Sequence, residues 1–256
     1  MEPWADQGDA ERRDLARHLA APDAGAPFGV YAIGAGDPAS ALARHLECSV
    51  FLETFGNSPE LLAKEYGPYE EASVFFCVID HLRHVPAGVM RVVVPSPAGC
   101  KTVDDVEPVW GESLGAMAAR TGLAIDLART WDIATLAVAP EYRGKATMGL
   151  VSMGLYQALA LASPRCGIAW LLAILDVPVW RMIRWKLRMP MAPFDGVPAR
   201  PYLGSPASMP VWCNVPDTER RIARSDPEVH TLYFEGHGLE PAVRPLDLAT
   251  VAGLVA

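Results

Sequence analysis

The stretch LAVAPEYRGKATMG, residues 136–149, decides the fold: an apolar strand end, a short polar turn, then Arg143 and Gly144 leading into a helix. A turn of this kind can point successive backbone N–H groups at an anion, because unpaired amides and the helix dipole act in the same direction. Glycine permits the closest approach, and Ala146 and Met148 stand at two positions where glycine would give it.

Around this turn the periodicity predicts further elements. TWDIATLAV (130–138) is the strand that feeds it, and KATMGLVSMGLYQALALA (145–162) the helix that leaves it. GIAWLLAIL (167–175) suits a strand, and DVPVWRMIRWKLRM (176–189) a helix opened by Asp176 and Pro178. Upstream, FGVYAIG (28–34) reads as a strand. Residues 37–56 read as a helix with Asp37 as N-cap, Pro38 in its first turn and Gly56 as its stop, and SPELLAKEYG (58–67) repeats that grammar. SVFFCVID (73–80) and AGVMRVVVPS (87–96) form a hairpin, and 102–122 is helical with a break near Pro108 and Gly111. Two extended pieces, RPYLG and MPVWCNV, follow late in the chain.

Strands and helices in this order give an α/β (α+β) fold, a mixed sheet with helices on its faces rather than a repeated βαβ wind. Three parts are expected: a loosely ordered arm over 1–27 with a short helix around 10–20, a main domain over 28–216, and an extension over 217–256 that packs on it.

The chain has 256 residues, 51% of them hydrophobic, enough for one large core. A formal charge of −8 argues against a nucleic-acid partner, whose binding needs clustered Lys and Arg. The longest apolar run, IAWLLAILDVPVW (168–180), is broken by Asp176 and Pro178 and is too short to span a bilayer. The acidic N-terminus lacks the pattern of a signal peptide, so a cytoplasmic location is expected. Five cysteines without a CxxC pair, and six histidines without metal-ligand spacing, predict neither a disulfide framework nor a metal site.

With Val138, Pro140, Tyr142, Arg143 and Gly144, the 136–149 stretch resembles the central motif of the GNAT superfamily of acyltransferases, V-x-P-x-x-R-G-x-G-x-G/A. The resemblance implies a mixed, mostly antiparallel central sheet with helices on both faces. It also implies a turn that holds the diphosphate of coenzyme A. A second resemblance covers most of 45–215. Glu65, Tyr69, Glu70, Gly88, Arg91 and Pro95 hold places in a pattern similar to that of the acyl-homoserine-lactone and N-acyl amino acid synthases, with Gly67 where that pattern has its first Asp. Those relatives generally take acyl groups from acyl carrier protein, whose phosphopantetheine arm has no nucleotide diphosphate. The implied function is transfer of an acyl group from acyl-ACP or acyl-CoA to a small amine or amino acid.

The resemblance also implies site residues. Leu136, Ala137 and Val138 would bind the pantetheine amides through their backbone, and Arg143, Gly144, Lys145 and Ala146 would cradle its phosphate. Glu65, Glu70 and Arg91 fall on the substrate side. Asp132, placed by strand periodicity on the same face as Ala134, Leu136 and Val138, is a candidate base, or alternatively a cap or a partner of Arg129. Tyr202 is the candidate acid. Arg181, Arg184 and Arg188, spaced i, i+3 and i+7, form a basic helical stripe that suits an acidic partner such as acyl carrier protein, or a solvated face.

Two other readings stand beside this one. Gly34, Gly36 and Ala39 after a strand, with Glu53 downstream, make a weak dinucleotide-binding pattern. Ala146, Met148 and the lack of a Tyr in the 176–189 helix also fit an acyltransferase-like fold that binds a ligand without turnover.

Overall fold

The computed structural model describes residues 8–20 and 25–255. The chain runs through α1 (Asp9–Ala20), β1 (Phe28–Gly34), α2 (Ser40–Phe55) and α3 (Pro59–Tyr66), then a 3₁₀ turn. The hairpin β2 (Ser73–Asp80) and β3 (Val85–Val93) follows, then α4 (Lys101–Trp110), α5 (Leu114–Thr121) and β4 (Thr130–Val138). After the 139–149 turn come α6 (Leu150–Arg165), β5 (Trp170–Asp176), α7 (Val177–Trp185), β6 (Ala192–Pro193), β7 (Arg200–Tyr202) and β8 (Ser205–Asn214). The last elements are α8 (Val215–Ser225), α9 (Pro227–Tyr233), β9 (Val243–Arg244) and α10 (Leu248–Val255).

Local chemistry sets most of these boundaries. Ser58 accepts the Leu61 N–H and caps α3, while Gly56 at φ 73° closes α2 in a left-handed conformation. Pro108 is accommodated inside α4, so the break expected there comes only at Gly111.

One mixed sheet, in the order β6-β8-β5-β4-β3-β2-β1-β9 with β7 beside β8, carries the core. Its pairings are antiparallel except β4 with β5 and β1 with β9. Helix α2 covers one face of the central strands and α6 the other. Every residue of β2 is buried, which explains its unbroken apolar sequence. Gly88 serves this packing: a Cβ there would lie 2.4 Å from Val151 of α6. Among the described residues no helix is long and apolar enough to cross a membrane.

Within the expected N-terminal arm, α1 packs on α2 and β3 and buries Ala16 and Ala20; residues 1–7 and 21–24 lie outside the described residues. Within 217–256, β9 adds a strand to the same sheet and α10 packs on β1 and α6.

Several details depart from the sequence expectation. The helix after the turn begins at Leu150, not 145, because Met148 and Gly149 adopt left-handed φ values of 52° and 82° that no helix can include. Helix α7 ends at Trp185. The glycines at 34 and 36 lead into no dinucleotide fold: β1 pairs antiparallel with β2, and Glu53 lies inside α2.

A β-bulge changes which residues of β4 share a face. Arg91 pairs with Thr135 but Val92 pairs with Ile133, so Ala134 is an extra residue and the alternation shifts there. Asp132 and Thr135 therefore face α2 and α4, while Ile133, Leu136 and Val138 face α6. The single face expected for Asp132, Leu136 and Val138 does not form.

Candidate active site

Strands β4 and β5 run in parallel only from Thr130 to Asp132, opposite Trp170 to Leu172, and then part. Beyond that point β5 stays paired with β8 and β4 with β3, so their facing edges carry backbone amides and carbonyls with no strand between them. A cleft of about 670 Å³ opens from this splay, within the range of cofactor sites. Phe51 and Phe55 of α2, Leu136 and Val138 of β4, and Met182 of α7 give it an apolar lining. At its mouth stand Arg143, Lys145 and Lys186.

Beside the cleft, where β4 and β5 have parted, lies a throat of about 80 Å³, which shares Phe51, Phe55, Leu136 and Val179 with it. Polar side chains concentrate here: Tyr66, Thr135, Tyr156, Asp176, Tyr202, Ser205 and Ser208.

The 139–149 turn forms the cleft's outer rim. Arg143 Nε donates to the Val138 carbonyl at 2.8 Å, which ties its guanidinium to the end of β4. Thr147 donates to the Tyr142 carbonyl at 2.7 Å and closes the loop. Gly144 adopts a left-handed φ of 61°, as glycine does most easily, whereas Met148 holds one of 52° and is 80% exposed. Because two 3₁₀ turns precede α6, the helix N-terminus lies five residues further along than the sequence pattern places it.

Behind the throat lies a buried ionic network. Arg91 is fully buried and donates to Glu47 at 2.7 and 3.1 Å, to Glu70 at 2.8 Å and to Ser73 at 3.1 Å. Its guanidinium sits against the rings of Phe75 and Tyr66, with centroids 4.5 and 5.1 Å away. Arg44 completes the group with a bond to Glu70 at 2.8 Å. Thr135, on the throat wall, donates to Glu47, so this network orients a residue of the site. Glu70 and Arg91 thus stand one layer behind the throat. Glu65 instead pairs with the buried Lys101 at 2.8 Å.

Asp132 is buried and accepts the Thr102 N–H and hydroxyl, each at 2.7 Å, together with the Cys100 thiol at 3.4 Å. It caps the start of α4 from across the sheet, and Arg129 reaches the Gly167 carbonyl instead. Burial raises its carboxyl above the usual carboxylate range, against the pull of the Thr102 and Cys100 donors. It lines neither the cleft nor the throat. Tyr202 does line the throat, where its hydroxyl donates to Asp105; burial, with Tyr66 and Asp105 nearby, pushes the phenol far above its ordinary value.

The basic stripe divides. Arg181 and Arg184 are exposed on α7, the latter stacked between Trp180 and Trp185. Arg188 lies beyond the helix end at φ 60° and pairs with Asp226.

No family model matches the sequence, and no curated protein matches it either. Solved structures do. One is a CoA-dependent acyl-homoserine lactone synthase, BjaI, with SAM and isopentyl-CoA: 17% identity over 87% of this chain and 97% of that one, at a TM-score of 0.55. Another is FeeM, an N-acyl amino acid synthase from uncultured soil microbes: 12% identity over 76% of this chain and 96% of that one, also at 0.55. The chain has the acyl-homoserine-lactone synthase fold. The mixed, mostly antiparallel sheet with helices on both faces is the GNAT-like architecture expected from the sequence.

The sequence reading missed Glu47, Asp176, Tyr66 and Tyr156. A signal existed for the first: Ser40, Arg44 and Glu47 recur at i, i+4 and i+7, a polar stripe along one side of the helix. For Asp176 the signal misled, since an Asp before Val-Pro reads as an N-cap, yet its side chain makes no capping bond.

Proposed function

We propose that this chain is an N-acyltransferase that moves an acyl group from a phosphopantetheine thioester to a small amine or amino acid. The observation that carries this reading is the splay of β4 from β5, which opens into a largely apolar cleft whose cations, among the described residues that line it, are Arg143, Lys145 and Lys186. A pantetheine arm is a chain of amides joined by methylenes. The parted strand edges at Leu136, Ala137 and Val138 offer it backbone hydrogen bonds, and the apolar walls shield the thioester from water.

Arg143 and Lys145, with the backbone of Gly144 and Ala146, receive the phosphate at the mouth. The late start of α6 and the left-handed Met148 weaken the rim as a diphosphate cradle, which favours acyl carrier protein over coenzyme A as donor. Lys186, Arg181 and Arg184 extend the positive mouth toward such an acidic partner. Asp132 and Arg188 do not take part: one caps α4 and the other pairs with Asp226. Glu70 and Arg91 act by supporting the wall of the site, while Glu65 holds Lys101.

The test is mass spectrometry of reactions that offer carrier-protein and coenzyme A thioesters of several acyl lengths with a pool of amines and amino acids. An N-acylated product establishes the activity, and the donor that gives it settles the preference. If no product forms and neither donor raises Tm, the catalytic reading fails in favour of a protein that uses this fold only for binding.

A further inference from the structure

The throat holds one carboxylate and no cation. Among the described residues that line it there is no Lys, Arg or His, while Asp176 stands at the end of β5 where the strands have parted. Asp176 occupies the N-cap position of α7 but does not cap it. Its Oδ1 instead accepts the Ser205 hydroxyl at 2.5 Å, and Ser208 lies opposite it on β8. No basic group among the described residues forms an ion pair with it. A half-buried carboxylate without a counterion, in a throat of polar hydroxyls, is a site for a cation.

We infer that Asp176, with Ser205, binds the acceptor as an ammonium ion and takes its proton, and that the acceptor is an amine with no carboxylate beside the nitrogen. This rests on the acyltransferase reading and narrows it. An α-amino acid would bring a second negative charge within a few ångströms of Asp176, in a throat with nothing to pair it. The cations of the site, Arg143, Lys145 and Lys186, line the outer cleft on the donor side, and Arg91 behind the wall is already bound to Glu47 and Glu70.

The chemistry balances without a further reactant. The ammonium gives one proton to Asp176, and the neutral nitrogen attacks the thioester carbonyl. The C–N bond forms and the C–S bond breaks. The second proton lost from nitrogen goes to the departing thiolate, and Asp176 passes the first to water. The products are an amide, a free thiol and one released proton.

The experiment offers the full-length protein an acyl thioester with matched acceptors: ethanolamine against serine, isobutylamine against valine, phenethylamine against phenylalanine. Product is quantified by mass spectrometry, and donor binding is followed separately as a rise in Tm. The amine of at least one pair is expected to be acylated in preference to its amino acid. Asp176→Asn should lower kcat/KM for that amine roughly 100-fold and leave the donor-induced Tm rise in place. Preference for the amino acids overturns the inference, and so does donor binding with no amine acylated. An Asp176→Asn variant that keeps its amine activity overturns it as well. If no donor raises Tm and no product forms, the acyltransferase reading itself has failed. The wild-type selectivity decides the question even where the variant does not fold.

Discussion

Arg91 of β3 and Glu47 of α2 meet at 2.7 Å with both side chains fully buried, which makes this ion pair the link between the sheet and the helix behind the site. Removing one partner leaves the other charge without compensation in the core. Arg91→Met and Glu47→Gln should each cost about 3–5 kcal/mol, and the double variant clearly less than their sum. Urea unfolding of the four proteins measures this coupling, and additive losses would show that the two residues act independently.

Asp132 gives a pH signature. Because burial raises its pKa in the folded state, the folded protein binds the proton more tightly than the unfolded chain does. Its contribution is full below the unfolded carboxyl pKa and is lost as pH rises through the folded value. The stability of the wild type relative to Asp132→Asn should therefore fall as pH rises above the ordinary carboxyl value of about 4. Urea midpoints across that range check it; the opposite slope would mean that the Thr102 and Cys100 bonds outweigh burial.

Met148 holds a left-handed φ of 52° at the rim of the cleft. Met148→Gly should remove roughly 1–2 kcal/mol of backbone strain against about 0.5–1 kcal/mol of added chain entropy, so Tm should rise slightly. The same change opens the rim to a diphosphate. Affinity for coenzyme A thioesters should rise more than affinity for a bare pantetheine thioester, as titration calorimetry with both would show.

The cations at the mouth predict a salt-sensitive encounter. Lys145→Glu combined with Lys186→Glu should raise KM for acyl carrier protein several-fold at low ionic strength, and the gap should close as salt is added. Turnover of a short pantetheine thioester should change little. An equal loss with both donors would place these lysines in the chemistry rather than in docking.

Much of this architecture is legible in the sequence because it rests on short-range rules. The strand at 130–138 matches its expected bounds, and Ser58 and Gly56 bound their helices through hydrogen bonds and backbone freedom within a few residues. The stretch from Val138 to Gly144 identifies the turn by the same local logic, and with the order of elements it points to the fold. Pairing across the sheet is not local. The bulge at Ala134 follows from the register of β3 against β4, and it moves Asp132 away from the face of Leu136 and Val138. Asp132 looks like a base along its own strand and becomes a cap only when α4 arrives from thirty residues upstream. Asp176 looks like a cap along its own helix and becomes a carboxylate of the throat wall only when β8 brings Ser205 beside it. In both cases the neighbouring sequence names the charge, but the partner that determines its work is supplied by a distant segment, because electrostatics and hydrogen bonding act through space rather than along the chain.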